Sequence, residues 1–167
     1  MAAGATYELA APTQTTSGNA ASVTFSSVSG AFTDLVLVAT FSTSASENMY
    51  MRFNGDTATN YQGASYSSNS NVLAGNKYNT QSYMNPGWYS WPGSGTIQGL
   101  IICNIMSYAN TSVFKSVIGR SGSNNGVEHT CNIWKSTAAI TTILCYPSGS
   151  ATFVNGSTFA LYGIKAA

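Results

Sequence analysis

Leu35-Val36-Leu37-Val38-Ala39-Thr40-Phe41 is an almost continuous run of apolar and β-branched residues. A short run of this kind, without Gly or Pro, predicts a strand that is covered on both faces. On either side of it, apolar residues alternate with polar or half-polar ones, at Val23 and Phe25 and at Met49, Met51 and Phe53. That alternation predicts strands with one face on the core.

The rest of the chain follows the same pattern of short strands and turns. Further strands are predicted at Thr96–Met106, Val113–Ile118, Glu128–Trp134, Ile140–Tyr146 and Thr158–Ile164. Stretches rich in Gly, Ser and Asn separate them, because these residues close tight turns. No stretch keeps the period of an amphipathic helix. The sequence therefore predicts one all-β domain over residues 1–167, an antiparallel β-sandwich or jelly-roll-like fold with eight or nine strands.

One segment, at about residues 61–95, breaks the apolar pattern. Aromatic residues appear there among polar and turn-forming ones, and we expect a loop-rich insertion. Its most aromatic part, with Tyr83, Trp88, Tyr89 and Trp91, is the candidate binding site. Three alternatives stay open for it: a protein–protein interface, a glycan-binding loop, and a loop that folds over the end of its own sandwich.

The chain is poor in charge, and this argues against catalysis. Charged residues make up 7% of it, against the usual quarter or so. The five carboxylates are scattered, and a lone histidine, His129, is expected to be a surface or half-buried strand residue. No Gly-x-Ser-x-Gly motif is present. We therefore expect no enzyme activity, and the isolated charges are interpreted as devices for solubility and for protecting strand edges.

Cofactors and other non-protein partners are not expected either. Asn54-x-Asp56 begins like a cation-binding loop but lacks further acids, so a hairpin turn explains it better. The basic residues are dispersed and the net charge is +1, which argues against nucleic acid. No apolar run approaches the length of a membrane helix, and no secretory signal is seen. Three cysteines without CxxC spacing, Cys103, Cys131 and Cys145, are expected to be small core residues of a protein made in a cytosol.

Three stretches together resemble a family of small structural proteins from the virions of tailed phages, particularly phages of marine bacteria and cyanobacteria. They are Tyr50–Tyr61, Trp134–Ile143 followed by Gly156–Lys165, and Thr33–Val38. The ending Ser157-Thr-Phe-Ala-Leu-Tyr-Gly-Ile164 is the most specific part. The family pattern recurs in capsid decoration (cement) proteins and in tail or fibre modules.

The resemblance implies a β-sandwich virion component, assembled in the host cytoplasm, without catalytic residues. The leading expectation is a decoration protein that forms a homo-oligomer, such as a trimer, and staples neighbouring subunits of the major capsid protein. The alternative is a tail, fibre or spike module that binds a host-surface glycan through the aromatic segment.

Overall fold

The computed structural model describes residues 6–69, 72–87, 99–124 and 126–165, and these residues form twelve strands and no helix. The strands are β1 (Tyr7–Leu9), β2 (Gln14–Thr15), β3 (Val23–Phe25), β4 (Asp34–Phe41), β5 (Met49–Phe53), β6 (Tyr61–Asn69), β7 (Val72–Gln81), β8 (Gly99–Met106), β9 (Lys115–Ser123), β10 (Gly126–Trp134), β11 (Ile143–Pro147) and β12 (Thr158–Ile164). The predicted all-β, antiparallel, sandwich-like fold is confirmed. The strands are more numerous than the eight or nine predicted, because β1, β2, β6 and β7 carry no clear apolar alternation.

Two antiparallel sheets of unequal width make up the fold. The large sheet has nine strands in the order β1-β12-β4-β8-β9-β10-β6-β7, with β2 also paired to β12. The small sheet has three strands in the order β3-β11-β5. We call the face of the large sheet that looks toward the small sheet its inner face, and the opposite one its outer face.

The core lies between the two sheets. On β4, the alternate residues Leu35, Leu37, Ala39 and Phe41 are fully buried, and they cluster with the inward residues of β3, β5, β8, β11 and β12. The other side of β4 belongs to the outer face, where Val38 and Thr40 are half-buried. The prediction that this strand is covered on both faces is confirmed only in part, since Val36 on the outer side is also buried, at 7% exposure.

The predicted turn at Asn54-Gly55-Asp56 is present, with φ of 52° at Asn54 and 67° at Gly55. It is not a hairpin, because β5 before it and β6 after it belong to different sheets. The Asp56 carboxylate accepts hydrogen bonds from Trp134 Nε1 (2.7 Å), Asn60 Nδ2 (2.9 Å) and the Ala58 N–H (2.8 Å). Burial acts to raise the pKa of Asp56, but these three bonds outweigh it and lower the pKa. The turn therefore joins the two sheets.

The expectation of a loop-rich insertion is wrong over residues 61–69 and 72–81, where β6 and β7 form a long antiparallel hairpin. Beyond Tyr61 at the start of β6, its buried positions are occupied by Ser65 and Ser67 rather than by apolar residues. The other strand, β7, is exposed along most of its length. A search for apolar alternation therefore finds nothing, although the β7 backbone is paired with β6, with one irregularity between Tyr61 and Gly63. Residues 88–98 lie outside the described part of the chain.

Two other strand predictions are displaced. The strand predicted at Val113–Ile118 begins only at Lys115, because Val113 and Phe114 are exposed before it, and it extends to Ser123. The strand predicted from Ile140 begins at Ile143.

The interpretation of the charges as surface devices is wrong for two of them, since Lys115 is fully buried and Glu128 is 2% exposed. The Lys115 ammonium donates to the carbonyl oxygens of Asn110 (2.6 Å), Val113 (2.7 Å) and Thr137 (3.1 Å). An ammonium group has three N–H donors, and here each has an acceptor. Burial lowers the pKa of Lys115. This lysine holds together the loops at one end of the large sheet.

We expect Lys115→Met to lower the free energy of unfolding by about 2 kcal/mol, because three part-buried carbonyl groups lose their charged donor. The measurement is the urea midpoint of the variant at neutral pH. Lys165→Met is the matched control, since Lys165 is exposed and loses only a surface ion pair with Glu8, which should cost no more than about 1 kcal/mol. Equal changes in the urea midpoint for the two substitutions would show that the three hydrogen bonds of Lys115 do not stabilise the fold.

Candidate interaction surfaces

Tyr83 is the only member of the predicted aromatic site that lies in the described part of the chain. Trp88, Tyr89 and Trp91 lie outside it. The Tyr83 ring stacks on the Tyr50 ring, with centroids 3.9 Å apart and an angle of 16° between the planes. For Tyr83, the structure therefore shows packing on the protein's own small sheet, which is one of the three alternatives.

A tyrosine cluster, made of Tyr50, Tyr83 and Tyr146 with Arg52, covers the side of the small sheet that faces away from the core. Tyr50 and Tyr146 are opposite each other on β5 and β11, and their rings meet edge to face at 5.9 Å. The Arg52 guanidinium lies 4.9 Å from the centre of the Tyr146 ring, and its Nε donates to the Ser82 carbonyl (2.8 Å). Burial, followed by interactions with Tyr83, raises the pKa of Tyr50 to about 12. The cluster anchors the segment that carries Tyr83.

Residues 84–87 continue from this cluster across the inner face of the large sheet. Met84 exchanges two backbone hydrogen bonds with Met51, both 2.9 Å long. Further along, the Pro86 carbonyl accepts from the Thr130 hydroxyl (3.1 Å). At Gly87, a Cβ atom would lie 2.1 Å from Ser121 Oγ, so only glycine fits this close approach.

Beneath these residues, the inner face is polar. Ser65, Ser67, Thr130 and Asn132 are all buried on β6 and β10. Asn132 donates to the Thr130 hydroxyl (3.0 Å) and accepts from the Tyr78 hydroxyl. Desolvation raises the pKa of Tyr78, which therefore stays a neutral donor. This half of the sheet is held by hydrogen bonds, whereas the half around β4 is held by apolar contacts.

His129 is exposed on the outer face, as expected of a surface strand residue. In the sheet register it lies between Arg120 on β9 and Tyr66 on β6. Its own neighbour Glu128 points to the inner face and is buried. Among the described residues, no group of three His, Cys, Asp or Glu side chains comes close enough together to hold a metal ion.

The three cysteines lie in three places: Cys103 on the inner face of the large sheet, Cys131 on its outer face, and Cys145 on the small sheet. Cys103 and Cys145 are fully buried core residues, and burial raises the pKa of both thiols, to about 12 for Cys145. Cys131 is exposed on the outer face of β10, so the prediction of a core residue is wrong for this cysteine. All three are free thiols.

The outer face of the large sheet is the surface that the sequence analysis missed. Most of the large hydrophobic side chains that are exposed in the described ranges lie on it: Tyr7, Leu9, Tyr66, Leu73, Leu100, Ile118 and Val127. Monomeric proteins rarely expose apolar patches larger than a few hundred Å², and such patches mark interaction sites. The signal was present in Leu100-Ile-Ile-Cys-Asn-Ile-Met106, where apolar residues occupy both alternating sets of positions.

Shallow grooves indent this face between β8 and β7. One of about 400 Å³ lies around Ala64, Cys131 and Ile133, and a second of about 380 Å³ lies between Tyr66 and Lys77. A third, of about 260 Å³, is lined by Leu100, Arg120 and Val127. Grooves of this depth suit the side chains of a packed protein surface better than a small ligand that must be enclosed.

No protein-family model and no curated protein matches this chain. Within the described residues, no helix is long and apolar enough to cross a membrane.

The tyrosine cluster should make stability depend on alkaline pH. The folded protein keeps the Tyr50 proton until about pH 12, whereas the unfolded chain loses it near pH 10. The contribution of Tyr50 to the free energy of unfolding is therefore fully present below pH 10 and is lost as the pH rises toward 12. We expect Tyr50→Phe to lose less stability than the wild type between pH 8 and pH 11, measured by urea midpoints.

Tyr7→Phe is the control, because Tyr7 is 57% exposed. It should follow the wild-type pH profile. An identical fall with pH in the wild type and in Tyr50→Phe would contradict the neutral, buried role of Tyr50.

Proposed function

We propose that this protein is a non-enzymatic structural component of a phage virion, most specifically a capsid decoration protein that staples neighbouring capsid subunits. The observation that carries the proposal is the outer face of the large sheet. It is wide, apolar and nearly free of charge, and the described residues leave it open. A surface of this kind is suited to being covered by other proteins.

The chemistry of the face supports packing rather than catalysis. Hydroxyl and amide groups such as those of Thr40, Gln62 and Asn104 lie among its apolar side chains. Burying such groups against a partner costs less than burying charges. The resemblance of three stretches to small virion proteins agrees with this role.

The mechanism follows from multivalency. Each copy would bury apolar area on several virion subunits at once, so weak contacts add up to a strong attachment. Binding only to the assembled shell would then stabilise that shell. The partners are other copies of the chain and the major capsid protein, and the location is the virion.

The glycan-binding alternative gains no support from Tyr83. One of the two faces of the Tyr83 ring is already covered by Tyr50, so Tyr83 acts as part of the tyrosine cluster. The alternative therefore depends on Trp88, Tyr89 and Trp91. A glycan array that compares the wild type with a Trp88→Ala/Trp91→Ala variant tests this alternative. If the protein is a decoration protein, we expect neither to bind any glycan on the array.

The decoration role predicts that capsids without this protein rupture at a lower temperature or lower internal DNA pressure. Adding back the purified wild-type protein should restore resistance, measured by DNA release on heating. Leu9→Asp should restore less, because it places a charge on a residue that is 54% exposed on the apolar face at β1. Capsids that resist rupture equally with and without the protein would refute the role.

Thr24→Asp is the matched control, since Thr24 is exposed on the small sheet, away from the outer face. It should restore resistance as well as the wild type does. A loss equal to that of Leu9→Asp would assign the contact to the small sheet instead.

A further inference from the structure

The half of the outer face from β8 to β7 is complementary to itself. Its central strand is β10, with β9 and β8 on one side and β6 and β7 on the other. The register aligns outward residues of these five strands into rows that cross β10. Suppose that a second copy is related to the first by a twofold axis that runs parallel to β10, between the two outer faces. Each row then faces the same row of the second copy in the opposite strand order. Strand β9 of one copy therefore faces β6 of the other, and β8 faces β7.

The first row is apolar at its centre and at both ends. It contains Leu100 on β8, Gly122, Val127 on β10, Ser68 and Leu73 on β7. Leu100, Val127 and Leu73 are 43%, 62% and 78% exposed. Reversal places Leu100 on Leu73 of the second copy and Val127 on itself, so that three apolar contacts form. The polar Ser68 meets the small Gly122.

The second row pairs a cation with an aromatic ring. It contains Ile102, Arg120, His129, Tyr66 and Gly75. The Tyr66 ring lies over Gly75, since a Cβ at Gly75 would be 3.6 Å from Tyr66 Cε1, yet Tyr66 is 70% exposed. Reversal places Arg120 beside this ring, an attractive cation–π arrangement, and Ile102 against the part of the ring that lies over Gly75, while His129 meets itself on the axis.

The third row again matches apolar with apolar and polar with polar. It contains Asn104, Ile118, Cys131, Ala64 and Lys77. Reversal places Ile118 on Ala64 and Asn104 on Lys77, while Cys131 meets itself on the axis. Among the described residues, none of the outward positions of these five strands carries a carboxylate, so Arg120 has the ring of Tyr66 as its best partner.

We propose that two copies of this chain pack face to face through β8, β9, β10, β6 and β7, about a twofold axis parallel to β10. In such an interface the contact of residue i with residue j is repeated as j with i. Aligned packing of two sheets about 10 Å apart is a common arrangement.

The area is at the lower end of what a specific dimer needs. Five strands about 4.8 Å apart and seven residues of about 3.3 Å give about 550 Å² per copy. The two copies together bury about 1,100 Å², above the roughly 1,000 Å² that a specific interface needs. The half of the outer face that contains β1, β12 and β4 stays open for other partners. The inference does not depend on the virion role, and its tests use the purified chain alone.

Cys131 offers a direct test, because the other two thiols are fully buried. Sedimentation velocity at micromolar concentration should show a dimer, and a short bismaleimide should convert it to a Cys131–Cys131 cross-linked dimer, because thiols on sheets about 10 Å apart are too distant for a direct disulfide. In the control, Cys131→Ser combined with Thr24→Cys, the exposed thiol lies on the small sheet and should not cross-link. A monomer at all concentrations, or a dimer that cross-links only in the control, would overturn the proposal.

A second test checks the register. Leu100→Glu and Leu73→Lys should each weaken the dimer at least tenfold, and the double variant should recover most of that loss. Within one chain these positions lie four strand spacings apart, about 19 Å, so the charges can pair only between copies. Unchanged circular dichroism spectra would show that the monomers stay folded. Weakening by both single variants without recovery in the double variant would overturn the twofold arrangement.

Discussion

A three-stranded sheet packs on a nine-stranded sheet, and this difference in width determines the rest of the structure. The small sheet supplies apolar partners for the inward residues of β4, β8 and β12, where Leu37 and Phe41 are fully buried. The remaining inner face needs another cover, and residues 84–87 contact it. The outer face has no cover among the described residues. Each of these three regions has its own chemistry.

The polar half of the inner face shows what the few charges do. Lys115 and Glu128 are buried there at opposite ends of paired strands, β9 and β10. Buried ionisable groups are tolerated only where hydrogen bonds replace water. The Lys115 ammonium meets this condition with three carbonyl groups. Two of the few charged residues are thus buried, and one of them, Lys115, holds loops in place. The surface is left with even less charge than the composition suggests.

An apolar outer face and a nearly neutral protein together favour assembly. Net charge of +1 provides little repulsion between copies. The register of the sheet adds specificity to this general tendency, since Arg120 and Tyr66 occupy equivalent positions on the two sides of β10. If two copies pair there, the other half of the face remains available, so one sheet can serve both self-association and contact with another partner.

The sequence by itself determined which residues form the regular strands around the core. In β4, β5 and β12, alternation between neighbouring residues is a local property, so it predicts the strands and the antiparallel sandwich from the chain alone. The same local signal is missing from most of β6, because Ser65 and Ser67 occupy buried positions there. Apolar alternation therefore does not predict the hairpin. Likewise, no sequence pattern around Lys115 predicts that its ammonium group will bind three carbonyl oxygens. Only the tertiary structure decided which face of each strand is covered, because that depends on residues distant in the chain: Cys103 lies in the core and Cys131 on the open face, although both occupy similar strands.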